Sequence, residues 1–169
     1  TIFIADTSVH EYPTSEEMAE IAISAARVER LFGVDPKIAF VSHSTFGQPL
    51  TSRTKHIRNA VEILKEKQVN FEFDGDMQPD VALNSDYEEL YPFAKIVGKA
   101  NILIMPGQHS AAISYKLMKT LGDTKVIGPL LIGLGLPIEI APLRSSTSEI
   151  INLASIAAYS SDVIDYKKD

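Results

Sequence analysis

The chain contains no cysteine, which excludes a disulfide framework and any thiolate metal site. It has no basic block, and 22 acidic against 16 basic residues leave a net charge of −6. Nucleic acid and anionic membrane surfaces are therefore poor candidates for its main partner. No apolar run reaches the length of a bilayer span, and no charged-then-apolar leader opens the chain; the expected compartment is the cytoplasm. A Walker A loop, a Gly-x-Gly-x-x-Gly fingerprint and a Gly-x-Ser-x-Gly nucleophile elbow are all missing. What remains is ordinary for one folded domain: 169 residues, 45% of them apolar and 22% charged.

The most informative stretch begins at Lys99 and reads KANILIMPGQHSAAISYKLMKTLGDTKVIGPLLIGLGLP. It predicts a buried strand over 102–105, a Pro106-Gly107 turn, a helix over 110–121 and a second buried strand over 125–131. Strand, turn, helix and strand in that order build parallel sheets. Upstream, Thr1 to Ala5 already has a buried-strand pattern with no Met before it. Termini are usually polar and loose, so the expectation is a piece of a longer polypeptide. Thr14-Ser15-Glu16-Glu17 reads as a capping box opening a helix over 15–32, which Gly33 stops. A strand over 37–42, a helix over 52–67 and a strand over 71–74 follow. Asp74-Gly75-Asp76 and Asp80 read as a polar loop, and a short helix is expected over 85–91. A strand over 137–141 precedes a second capping box, Ser146 to Glu149, and a last helix over 147–159. The expected organisation is one α/β domain over 1–159 with a mainly parallel sheet, followed by a charged tail over 160–169.

Three clusters can carry chemistry. Ser42, Ser44, Thr45 and Gly47 follow a predicted strand, where hydroxyls and backbone amides can cradle an anion; the same residues also serve as an ordinary polar turn. Gln108, His109 and Ser110 open a helix whose N-terminal amides and dipole favour negative charge. His109 can act there as acid, base or anion ligand, although nothing beside it has metal-ligand spacing. Arg144 stands just before the Ser146–Glu149 cap and can clamp a phosphate, or simply be solvated.

Taken in order, further markers are specific: Ala5-Asp6-Thr7, Pro13-Thr14, Phe32-Gly33, Ser42-x-Ser44-Thr45-x-Gly47, Asp74-Gly75-Asp76-Met77-Gln78, Lys99-Ala100-Asn101, Ile127-Gly128-Pro129 and Ile150-Ile151-Asn152. With them the chain resembles the C-terminal half of phosphate acetyltransferase, and more closely the transacetylase-like tail of bacterial NADP-dependent hybrid malic enzymes. The resemblance implies a three-layer, isocitrate/isopropylmalate dehydrogenase-like second domain. Active members move an acetyl group between coenzyme A and phosphate in a cleft between two domains, of which this chain holds about half. Their Ser-Arg-Gly-Cys-Ser motif, laid on this chain without a gap, puts Pro142 at the Ser and Leu143 at the Arg, while Glu149 keeps the acid. Pro-Asp-Leu-Asp-Ala-Gly-Asn becomes Pro106-Gly107-Gln108-His109-Ser110-Ala111-Ala112, without the two carboxylates.

The resemblance accordingly implies a silent regulatory and assembly domain with no catalytic residue, metal or cofactor of its own. Acetyl-CoA is the implied effector. NADP and a divalent metal are implied only in a malic-enzyme domain of the same polypeptide, and a homodimer is implied through this region. Two other readings stand beside it. One is a working transacetylase in which Arg144 shifts into place and Ser145 assists; the other is a domain that keeps only a dimer interface.

Overall fold

The computed structural model describes residues 1–163 except 88, 97 and 135, with backbone alone for 161–163. The elements are β1 (Phe3–Ala5), α1 (Ser15–Leu31), β2 (Lys37–Val41), α2 (Ser52–Glu66), β3 (Glu72–Met77), α3 (Pro79–Leu83), a 3-10 turn (Ser85–Tyr87), β4 (Ile102–Ile104), α4 (Gln108–Leu121) and α5 (Thr147–Val163). The chain forms two compact units, Thr1–Tyr115 and Lys116–Asp169.

The first unit is built on a four-stranded parallel sheet of order β1-β4-β2-β3. This is the expected α/β arrangement. Side chains alternate across it because successive strand residues point to opposite faces. Ile38 and Phe40 of β2, with Ile102 and Ile104 of β4, pack against Met18 and Ala22 of α1 and Ile57, Val61 and Leu64 of α2. Ala39, Val41 and Leu103 face the other way, toward Ala82 of α3 and Ala111 in the first turns of α4. Both faces are covered, as a parallel sheet requires.

Local signals explain the helix starts. Thr14 Oγ1 accepts from the Glu17 amide at 3.1 Å, and Glu17 Oε2 accepts from the Thr14 amide at 2.7 Å. Thr51 and Thr54 cap α2 in the same reciprocal way. Gly33 takes φ +74° past the end of α1, the left-handed stop the sequence indicates.

Four expectations need correction. The strand expected over 71–74 runs to Met77, so Asp74-Gly75-Asp76 is strand, not loop; Asp74 is 8% and Asp76 0% exposed. Gly75 is what allows it: a Cβ there would lie 2.7 Å from Phe40 Cβ and 2.8 Å from the Phe40 carbonyl oxygen. Over 85–91 only the three-residue 3-10 turn forms, and Pro79 instead opens α3. The strands expected over 125–131 and 137–141 are irregular segments. An apolar run becomes a strand only when a ladder satisfies its amides and carbonyls, and among the described residues of their own unit no strand offers one. Of the tail expected over 160–169, residues 164–169 lie outside the described residues, and α5 continues to Val163.

Candidate functional site

The carboxyl ends of β2 and β3 hold a densely hydrogen-bonded polar turn. Ser42 continues the β2–β3 ladder, its amide donating to the Met77 carbonyl at 2.9 Å. Ser42 Oγ accepts from the Ser44 amide at 3.3 Å, and Ser44 Oγ donates to the Pro49 carbonyl at 3.1 Å. Thr45 Oγ1 accepts from the Gln78 amide at 3.2 Å. The Gly47 amide donates to Asp76 Oδ1 at 3.1 Å, and the Phe46 amide to the Asp76 carbonyl at 2.7 Å. Ser42, Ser44, Thr45 and Gly47 thus converge, buried, on one turn, with Asp76 as its internal anion. His43 and Gln48 are the members of this turn that face solvent.

Asp76 is the residue that sequence reasoning missed. Its signal was available: Phe71, Phe73 and the paired acids continue a two-residue alternation into Met77. A carboxylate with period-two spacing, beside a glycine and opposite a Ser/Thr loop, is what a buried loop anchor looks like.

The neighbouring strand ends form a second turn. After β1, the Asp6 carboxylate accepts from the amides of Ser8, Val9 and His10, each at 2.9 Å, and lies 2.6 Å from His10 Nδ1. Burial pushes the Asp6 carboxyl up, but these four donors outweigh it and hold it below its ordinary value of 3.8. The turn so fixed meets the start of α4. The Gln108 amide donates to the Glu11 carbonyl at 3.3 Å, and His109 Nε2 stands 3.9 Å from Glu11 Oε1. Ser110 Oγ donates to the Gly107 carbonyl at 2.8 Å. Gln108, His109 and Ser110 therefore share the first turn of α4, and His109 remains exposed.

Arg144 and Glu149 belong to the second unit. Glu149 completes the expected capping box: its carboxylate accepts from the Ser146 amide at 2.7 Å, the Ser146 hydroxyl at 2.9 Å and Lys119 Nζ at 3.1 Å. The Ser146 amide contributes most and Lys119 next, pulling the carboxyl down to about 2. Glu149 is thus an anionic helix cap. Arg144 is exposed, and its side chain has no partner among the described residues. Ser145 Oγ is buried without a hydrogen bond. Among the described residues no group of three or more His, Asp or Glu side chains could hold a metal, and no helix is long and apolar enough to cross a membrane.

Comparison with known proteins places this geometry. A family profile described as Phosphate acetyl/butaryl transferase matches residues 1–158. The NADP-dependent malic enzyme of Rhizobium meliloti (strain 1021) is 48% identical over 159 residues, covering 94% of this chain and 21% of that protein. The phosphate acetyltransferase of Bacillus subtilis (strain 168) is 34% identical over 155 residues, 91% of this chain and 48% of that one. Among solved structures, a phosphotransacetylase from Streptococcus pyogenes superposes with a TM-score of 0.88 at 34% identity, covering 94% of this chain and 49% of the other. The chain thus spans about a fifth of the malic enzyme and about half of each transacetylase.

Proposed function

Because this chain belongs to the phosphate acetyl/butaryl transferase family, we propose that it is a regulatory and assembly domain joined to a malic-enzyme catalytic domain, and that it senses acetyl-CoA without transferring the acetyl group. One observation carries this reading. The transferase motif it resembles has Ser and Arg where this chain has Pro142 and Leu143, and the Leu143 side chain is fully exposed. Neither side chain can donate a hydrogen bond to a phosphate or a thioester carbonyl. Around the start of α4, Gly107 and His109 likewise stand in place of the two carboxylates of the motif it resembles.

Effector binding falls to the groups that remain open. In the first unit His109 and the α4 N-terminus beyond the Gln108 amide present a positive helix end; in the second unit Arg144 is, by itself, an uncommitted guanidinium. Regulation then follows from differential affinity: acetyl-CoA binds one arrangement of the assembled enzyme better than the other, and malate turnover in the joined domain follows the population. Exposed Ile113, Leu117 and Leu121 on α4, with Ile150 and Ile151 on α5, supply apolar surface for pairing two copies.

A second reading is favoured by the overall likeness to transacetylases and by Arg144, one position from the motif. It makes the chain half of a working acetyl transferase.

Both are tested on the full-length polypeptide, with acetyl transfer from acetyl phosphate to coenzyme A and malate oxidation assayed in parallel. The first reading expects malate oxidation inhibited by acetyl-CoA, no acetyl transfer, and inhibition weakened in Arg144→Ala at unchanged uninhibited turnover. Acetyl transfer that disappears in Arg144→Ala establishes the second. Malate oxidation indifferent to acetyl-CoA removes the sensing role.

A further inference from the structure

A pocket of about 300 Å³ opens between α2, the end of β3 and the segment after the 3-10 turn. It lies within the first unit and is lined by Arg58, Lys95, Phe46 and Phe93, with the Lys65–Glu62 ion pair and Asp74 completing the wall. Small-molecule sites begin at about this size, roughly 300 Å³.

The charges in the pocket differ in commitment. Lys65 is paired with Glu62. The Asp74 carboxylate accepts from the Gly75 amide at 2.9 Å and the Lys95 amide at 2.7 Å, so its charge is held by the backbone. The side chains of Arg58 and Lys95 have no hydrogen-bond or ion-pair partner among the described residues. In a chain of net charge −6, two unpaired cations facing one cavity mark a place for an anion.

The backbone makes room for one of them. Gly47 has φ +81°, and a Cβ there would lie 2.6 Å from Arg58 Nη1. The guanidinium therefore rests over the glycine of the 42–47 turn. Beside it stands an aromatic wall. Phe46 and Phe93 meet edge to face at 4.9 Å, Tyr91 lies 5.4 Å from Phe46, and Phe93 is 64% exposed. An exposed ring edging a cationic pocket offers a surface on which a planar base can stack.

We infer that this pocket binds a nucleotide, with the phosphates on Arg58 and Lys95 and the base against Phe93 and Phe46. A bare anion would make no use of the rings, and an apolar ligand would leave two cations uncompensated. The shared chemistry is a base, a sugar and phosphate, and it can come from a free nucleotide or from the nucleotide end of coenzyme A. The site does not use Gln108, His109, Ser110 or Arg144; with a free nucleotide as the source it stands apart from the acetyl-CoA reading above, and with coenzyme A as the source it rests on that reading and deepens it.

The test is hydrogen–deuterium exchange on the full-length polypeptide titrated with ADP, which reports binding by location. ADP is expected to protect peptides covering 44–49 and 91–96. Arg58→Ala and Lys95→Ala should each raise the half-saturating ADP concentration about tenfold, as loss of a charge-assisted hydrogen bond does. Phe93→Ala should raise it about fivefold through lost stacking. Lys55→Ala, on α2 but outside the pocket, should leave it unchanged. Coenzyme A protecting the same peptides and competing with ADP identifies its nucleotide end as the source; ADP protection indifferent to coenzyme A identifies a free nucleotide. The inference is overturned if millimolar ADP leaves both peptides unprotected, or if the Arg58→Ala/Lys95→Ala double variant saturates like the parent. It is also overturned if pyrophosphate alone protects as well as ADP.

Discussion

The turn at the end of β2 and the segment 125–143 are both loops leading into a capped helix, yet they are held in opposite ways. In the first, each hydroxyl has an internal partner, and a buried carboxylate supplies the acceptor the Gly47 amide needs. In the second, Ile127, Leu134, Leu136, Ile138, Ile140 and Leu143 are exposed and the backbone of its described residues joins no ladder, although the Leu131 amide donates to Glu139 Oε2 at 3.1 Å. Hydrogen bonding closes the first on itself. The second carries a core's composition without a core's burial. Loop structure therefore follows from how many of its polar groups find partners within the same unit, not from how apolar its sequence reads.

The strongest way to break the first region is to separate β3 from β2. Gly75→Ala places a methyl within 2.7 Å of Phe40 Cβ and 2.8 Å of its carbonyl oxygen. Phe40 is fully buried and cannot move aside, so the strands must part. Urea unfolding should show a loss of about 3 kcal/mol, together with faster amide exchange at Ser42, whose donor bond to Met77 spans the same two strands. A variant as stable as the parent would show that the close approach is relieved elsewhere.

Asp76→Ala tests the internal anion with the strands left alone. It orphans the Gly47 amide inside the protein, at an expected cost of about 2 kcal/mol, and exchange at Gly47 should rise more than exchange at Ile38 or Ile102. Uniform acceleration across the sheet would mean that Asp76 supports the whole unit rather than the turn.

Glu29 sharpens the rule by violating it. It is 1% exposed, and its Oε2 has no hydrogen-bond partner. Burial lifts its carboxyl from the ordinary 4.5 to about 7. A carboxyl with a raised folded-state value keeps its proton in the folded protein over a range where the unfolded chain has lost it. Stability therefore falls as pH rises from about 4.5 to 7 and stays lower above that range. Glu29→Gln removes this dependence, with an expected gain of roughly 1–2 kcal/mol at pH 8 and none at pH 4. Thermal unfolding at both values checks it; an unchanged pH slope would place the titrating group elsewhere.

The contrast also explains what the sequence could reveal. Helix starts were legible because a capping box is a local contract among four residues, as Thr14 to Glu17 and Ser146 to Glu149 both show. The strands of the first unit were legible because their apolar runs are short and bounded by turn residues. The extension of β3 was not, since acidic residues argue for solvent until the loop they serve is known. The segments 125–131 and 137–141 were misread for the converse reason: periodicity reports that a run could be buried and says nothing of a ladder partner. Of the site, the Ser42–Thr45 turn and the α4 start were visible as loops after strands. Arg58 and Lys95 were not, because an unpaired cation differs from a solvated one only in what surrounds it.

The smallest expected effect bears on the second region. If the side chains of 125–143 are as uncovered in solution as in the structure, making two of them polar should hardly matter to stability. Ile138 is 45% exposed and Leu143 103%, so Ile138→Ser with Leu143→Ser should change the unfolding free energy by no more than about 0.5 kcal/mol. The measurement is chemical unfolding of the parent and the double variant at two protein concentrations. A loss above about 1 kcal/mol, growing as the parent is made more concentrated, is the mark of surface covered by a second copy. The segment would then differ from the β2 turn only in finding its partners on another chain, and its apolar pattern would be a core after all.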